Sequence, residues 1–147
     1  MSHSIQLHRV LMAPPERVYR AFTTPDALVK WLPPHGHTAK VHHMDVKVKG
    51  TYQMSFTNFS TQVGNSFSGT YLEVKENELL KYVDKFDDPN LAGEMHITIA
   101  FKKVLNGTEL KITQEGIPEM IPLEFCYVGW QQSLNLLAQL VEAEIKN

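Results

Sequence analysis

Hydrophobic and polar positions change period twice along this chain, and each change marks a boundary between kinds of structure. Over Ser4–Leu11, SIQLHRVL, residues Ile5, Leu7 and Arg9 fall on one face and Gln6, His8 and Val10 on the other, the alternation of a strand. Pro14–Pro15–Glu16 then opens a helix, because proline suits a first turn and a carboxylate suits the N-terminal dipole. Val18, Tyr19 and Phe22 form its apolar side. Thr24–Pro25–Asp26 begins a second short helix, which Pro33 and Pro34 must end. Gly36 then lets the chain turn into the next strand.

From about Thr38 the period becomes two. Tyr52, Met54 and Phe56 alternate with polar neighbours, Leu80, Tyr82 and Phe86 lie two or four apart, and Met95, Ile97, Ile99 and Phe101 alternate again. Leu110 and Ile112 continue the theme. Turn signals separate the runs at Lys49–Gly50, Gly64–Asn65, Glu76–Asn77, Asp88–Pro89–Asn90 and Asn106–Gly107, the last a favoured hairpin dipeptide. Six strands in an antiparallel meander are predicted here. The period then returns to 3.6: Cys126, Trp130, Leu134, Leu137, Val141 and Ile145 form one apolar stripe on a helix predicted over Leu123–Lys146, about 36 Å long at the usual rise.

The order β–α–α–β6–α, without repeats or linkers, defines an α+β domain spanning residues 1–147. The inner face of a curved sheet and the stripe of the last helix must bury each other, while twist separates them toward one end. The two short helices can plug that opening. Aromatics and methionines there can either enclose a cavity or pack solid.

Composition narrows the function classes. A net charge of −2, with Lys and Arg scattered, offers no basic footprint for nucleic acid. No run approaches the roughly 20 apolar residues of a membrane span, and the N-terminus lacks the apolar core of a signal peptide, which predicts a cytoplasmic protein without membrane attachment. The single cysteine, Cys126, excludes an intramolecular disulfide and fits a reducing compartment. Nothing in the pattern fixes an oligomeric state.

The histidines are the first candidates for chemistry. His35 and His37 share a loop, and adjacent His42 and His43 on a strand are expected on opposite faces, so no three converge and no metal is expected. Gly64–Asn–Ser66–Phe–Ser68–Gly69 fails the nucleophile-elbow pattern, and Cys126 lies on an apolar stripe where a thiol acts as a small hydrophobe. The polar groups in phase with the inner face hold more promise. If Tyr82 and Phe86 point inward, so does Asp84 between them, and Gln114 is in phase with Leu110 and Ile112. Such groups can orient a ligand or serve as acid or base, with Asp84 and Tyr82 the catalytic candidates; alternatively, Asp84 pairs with a lysine or caps the Asp87–Asp88–Pro89 turn and Tyr82 fills core.

The stretches APPERVYRAFTTPDALVKWLPP, GTYLEV with FDDPN, and EGIP…GWQQSLNLLAQLVE resemble the activator of heat-shock-protein-90 ATPase homologue-like family, within the START-like, birch-pollen-allergen-like superfamily (SRPBCC). The resemblance spans nearly the whole chain and rests on framework positions, not a catalytic motif. It implies the helix-grip fold, a curved sheet of about seven strands around a long C-terminal helix, with an internal pocket for apolar ligands. Residues expected to line that pocket are Trp31, Met54, Phe56, Tyr71, Tyr82, Phe86, Met95, Ile97, Ile99, Gln114, Trp130, Leu134 and Leu137. A small hydrophobic or aromatic molecule is then the expected partner, with no cofactor. A cyclase-, dehydratase- or hydrolase-like reaction is one alternative, and a chaperone-regulating interaction is another. Fold alone does not choose among them.

Overall fold

A computed structural model of the protein describes residues 3–145. Seven strands form one antiparallel sheet in the order β1-β7-β6-β5-β4-β3-β2. They are β1 (His3–Leu11), β2 (His37–Met44), β3 (Thr51–Asn58), β4 (Gly64–Lys75), β5 (Leu79–Phe86), β6 (Met95–Val104) and β7 (Gly107–Ile117). Helices α1 (Pro15–Thr23) and α2 (Pro25–Trp31) connect the two edge strands, and α3 (Leu123–Val141) lies across the concave face. This is the expected α+β helix-grip architecture.

Local chemistry sets the elements much as the periods predict. Proline stands at the first position of both short helices, with Glu16 and Asp26 in their first turns. Thr24 ends α1, its backbone N–H donating to the Arg20 carbonyl, and opens α2. On β1, Ile5 and Leu11 are buried, and Arg9 faces the same way, its Nη1 donating to Asn135 Oδ1 on α3 at 2.6 Å. Bulges between Val41 and His43 and between Tyr71 and Glu73 bend the sheet around α3.

Four features depart from the pattern-based expectation. The α3 helix ends at Val141, not Lys146, because its terminal carbonyl is taken by the Arg17 guanidinium at 2.9 Å and Glu142 turns back to accept the Met12 N–H at 2.8 Å. Ile145 therefore leaves the stripe and is exposed, and the predicted last residue, Lys146, lies outside the described residues. Gly64–Asn65 belongs to β4; the turn precedes it, with Gln62 at φ 64°. The last hairpin turns on Leu105–Asn106, since Val104 pairs with Gly107. Gly107 is needed for close approach instead: a Cβ there would sit 2.0 Å from the Leu11 carbonyl oxygen. Finally, the bulge at Val41–His43 puts His42 and His43 on the same outer face, where they meet Ser55 Oγ and Thr51 Oγ1, not on opposite faces. Among the described residues no group of three potential metal ligands forms there or elsewhere.

The core is continuous between α1, α2, the C-terminal half of α3 and the sheet. Trp31 is fully buried, its Nε1 donating to the Ala21 carbonyl at 2.9 Å and its ring 4.6 Å from that of Phe22. Phe22 meets Phe101 edge-on at 5.3 Å, and Tyr19 meets Phe101 at 5.5 Å. Leu134, Leu137, Ala138 and Val141 close the same end from α3. Each such large side chain contributes about 1.5–3 kcal/mol by leaving water.

Candidate ligand-binding cavity

At the other end the sheet and α3 separate, joined across the gap by Trp130 and Gln114. A cavity of about 370 Å³ lies between sheet and helix, closed on one side by α2. Eight aromatic residues line it: Phe22, Tyr52, Phe56, Phe67, Tyr71, Tyr82, Phe86 and Trp130. Leu28, Leu32, Pro34, Met44, Met54, Leu80 and Ile97 complete most of the apolar wall. A second depression shares Pro34, Phe56, Phe67, Asp84, Phe86 and Gln114 with it and forms its mouth, adding His37, Asp87, Asp88, Leu91 and Met95.

The hollow follows from which side chains α3 presents. Cys126, Gly129 and Ser133 line the cavity from the helix, and all three are small. A Cβ added at Gly129 would meet nothing within 4 Å. Trp130 is the bulky residue that this half of α3 presents to the cavity, and it is pinned: its Nε1 donates to Gln114 Oε1 at 2.8 Å, while Gln114 Nε2 lies 3.1 Å from Met95 Sδ. Ser133 Oγ donates to the Leu32 carbonyl at 2.6 Å, tying α3 to the end of α2.

One polar pair interrupts the apolar wall, and it is built across three strands. Register places Tyr52 of β3 beside Gly69 of β4, and Gly69 beside Asp84 of β5. Because Gly69 has no side chain, the Tyr52 ring lies over it; an added Cβ would come within 2.3 Å of the ring. The phenol thereby reaches Asp84, donating to Oδ1 at 2.6 Å. Tyr52 is also boxed by Tyr71 and Tyr82, with ring centroids 5.6 and 5.8 Å away. Burial pushes the Asp84 carboxyl up to about 6, against the opposing pull of the Tyr52 hydrogen bond and the Lys85 backbone N–H; the Asp87 charge adds to the rise. Burial also raises the phenols of Tyr52, Tyr82 and Tyr71, Asp84 being the next cause for the first two. The Cys126 thiol is likewise raised by burial, so it is no ready nucleophile. At the mouth, hydrogen bonds led by that from Ser66 hold Asp87 below the usual carboxylate range.

Of the residues expected around a pocket, Met54, Phe56, Tyr71, Tyr82, Phe86, Ile97, Gln114 and Trp130 share the cavity wall, with Asp84 among them. Met95 stands at the mouth. Trp31, Ile99, Leu134 and Leu137 do not line it; they belong to the solid core, where Trp31 lies behind Phe22. Tyr52, Phe67, Met44, Leu28 and the small residues of α3 were not anticipated. Two signals pointed to them: a glycine inside a strand, Gly69, and small residues where a stripe should be bulky, Gly129 and Ser133.

A curved seven-stranded sheet holding a C-terminal helix over an apolar cavity defines a START-like, helix-grip protein. The sequence profile of the family described as Activator of Hsp90 ATPase homolog 1-like protein matches residues 12–142, and the chain belongs to that family. A crystal structure of a protein from Chromobacterium violaceum is similar to it at 52% identity and a TM-score of 0.94, over 96% of this chain and 98% of that one. Crystal structures of proteins from Rhodobacter sphaeroides (17% identity, TM-score 0.83, 95% of this chain and 91% of that one) and Nitrosomonas europaea (20%, 0.81, 95% and 94%) share the fold. No curated protein matches the sequence. No helix among the described residues is long and apolar enough to cross a membrane.

Proposed function

We propose that this protein holds a small, largely apolar aromatic molecule in the cavity between the sheet and the N-terminal half of α3. The observation that carries the reading is the wall itself: eight aromatic side chains around about 370 Å³, with the Tyr52–Asp84 pair as polar anchor. Binding sites for small molecules have this make-up, apolar surfaces with a few fixed polar groups, in volumes of about 300–1,000 Å³. The lone, non-disulfide Cys126 agrees with action in the cytoplasm.

The test is thermal melting against a library of apolar and aromatic compounds, followed by the same screen on Gly129→Leu. A ligand at 100 times its Kd stabilises by about 2.7 kcal/mol, a shift of several degrees. Gly129→Leu fills the cavity from a helix position with free space, so it folds and loses the shifts. No shift with any compound, or shifts that survive Gly129→Leu, overturn the reading.

One observation favours a second reading, in which the cavity is catalytic: Asp84 is a half-buried carboxyl raised to about 6 beside a phenol. An acid–base reaction of the bound ligand would then show a pH profile with an inflection near 6 and would be lost in Asp84→Asn.

A further inference from the structure

We propose that the occupant of this cavity is an aromatic cation: a one- or two-ring apolar body carrying a protonated amine or similar group, with its positive charge seated against the Asp84 carboxylate. The inference rests on the ligand-binding reading above and adds to it the sign of the ligand's charge.

Charge distribution around the cavity is one-sided. Asp84 alone among the lining residues carries a full charge at neutral pH; among the described residues the wall holds no Lys, Arg or His. Asp84 receives hydrogen bonds from the Tyr52 hydroxyl and the Lys85 backbone N–H, and among the described residues no cationic side chain pairs with it. This half-buried carboxylate has no cationic partner among the described residues, and desolvation raises it to about 6. A ligand cation supplies the missing partner without a protein rearrangement. The mouth repeats the sign among its lining residues, where Asp87 and Asp88 stand with His37, while the Lys85 charge beside Asp87 offsets part of it. A cation approaching this mouth is drawn in, and an anion is turned away.

The rest of the wall suits the rest of such a molecule. Aromatic rings on either side of Asp84, Tyr82 and Phe86 on its own strand and Tyr52 on the other, attract a cation through their π faces as well as burying an apolar body. A volume of about 370 Å³ accommodates a body of one or two rings. A fatty acid or other anionic amphiphile would have to leave its carboxylate among three aspartates.

Three nearly isosteric probes decide the matter: naphthylmethylamine, naphthylmethanol and naphthoate, titrated calorimetrically at pH 7.5. The amine is expected to bind about tenfold or more tighter than the alcohol, as a desolvated charge-assisted contact gives, and naphthoate weakest of all. Asp84→Asn should abolish the amine's advantage over the alcohol, with circular dichroism and a cooperative melt reporting that the variant is folded. Tyr52→Phe removes a hydrogen-bond donor from the carboxylate but not its charge, so the amine keeps its advantage. Lowering the pH to 5 protonates Asp84 and leaves the amine charged, so the amine's advantage shrinks. The other titratable groups facing this space are Tyr52, Tyr71, Tyr82 and Cys126 within and His37, Asp87 and Asp88 at the mouth with Lys85 beside Asp87, and the Asp84→Asn protein subtracts their share. Naphthoate or alcohol binding as tightly as the amine, or an advantage that survives Asp84→Asn, overturns the cation and leaves the ligand reading intact. Binding of none of the three ends the cation proposal, while the library melt with Gly129→Leu decides the ligand reading separately.

Discussion

The two halves of α3 carry the same apolar stripe and do opposite things. From Leu134 to Val141 the helix presses Leu134, Leu137, Ala138 and Val141 into the buried core against the sheet and α1. From Leu123 to Ser133 it offers Cys126, Gly129 and Ser133 to a sheet that curves away, and a cavity opens. Hydrophobic periodicity therefore fixes which face of a helix turns inward but not whether that face arrives at anything. What decides is side-chain volume on the helix set against curvature in the sheet, where two bulges add bend.

The contrast can be tested by changing volumes at each end. The largest effect is expected at the solid end, where Leu137→Ala removes a fully buried side chain in contact with a closed core and should destabilise by about 2–5 kcal/mol in urea melts. At the hollow end the sensitive change is an addition. Gly69→Ala drives a methyl into the Tyr52 ring, which Tyr71 and Tyr82 prevent from retreating, so a loss of about 1–3 kcal/mol is expected. The same variant breaks the Tyr52–Asp84 hydrogen bond, which the Asp84 titration followed by NMR would register.

Asp84 supplies a smaller effect of the opposite sign. Its folded-state value of about 6 lies above the ordinary 3.8, so the folded protein holds that proton more tightly than the unfolded chain. The stability linked to it is complete below about pH 4, falls as the pH climbs from 4 to 6 and is flat above; each pH unit is worth up to about 1.4 kcal/mol. Asp84→Asn should thus melt higher than the natural protein at pH 7.5, by roughly 1–3 kcal/mol, and equal it near pH 4. A lower melting point for the variant at pH 7.5 would show the carboxylate to be well satisfied. Smallest of all, Gly129→Ala should stabilise by about 0.5–1 kcal/mol through helix propensity, because the methyl enters open space. A penalty there would mean that the cavity is pinched beside α3.

Most of the framework was legible in the sequence, and the reasons are local. Alternation in MHITIAF and helical spacing from Cys126 to Val141 are properties of neighbouring residues, so they survive without knowledge of the fold. The inward phase of Asp84 and Gln114 followed from the same rule. The failures share a different cause. Bulges shift the phase by one, which is why adjacent His42 and His43 share a face. Distant side chains decide where α3 stops, as Arg17 does by taking the Val141 carbonyl. Trp31 and Leu137 look the same in sequence as the aromatics and leucines of the wall, and only the packing of Phe22 and α1 removes them from it. Tyr52 could have been paired with Asp84 only by knowing the register of three strands.

Gly69 gives this site an unusual kind of fragility. The Tyr52–Asp84 pair depends on a position whose contribution is the absence of atoms, so a survey that truncates side chains one by one would pass over it and report nothing. In a lineage of such proteins, one codon change adding a single methyl there would be enough to detach the polar anchor while every residue that forms the wall kept its identity. Relatives that keep the aromatic wall could therefore differ in what they accept according to whether they keep a residue without a side chain.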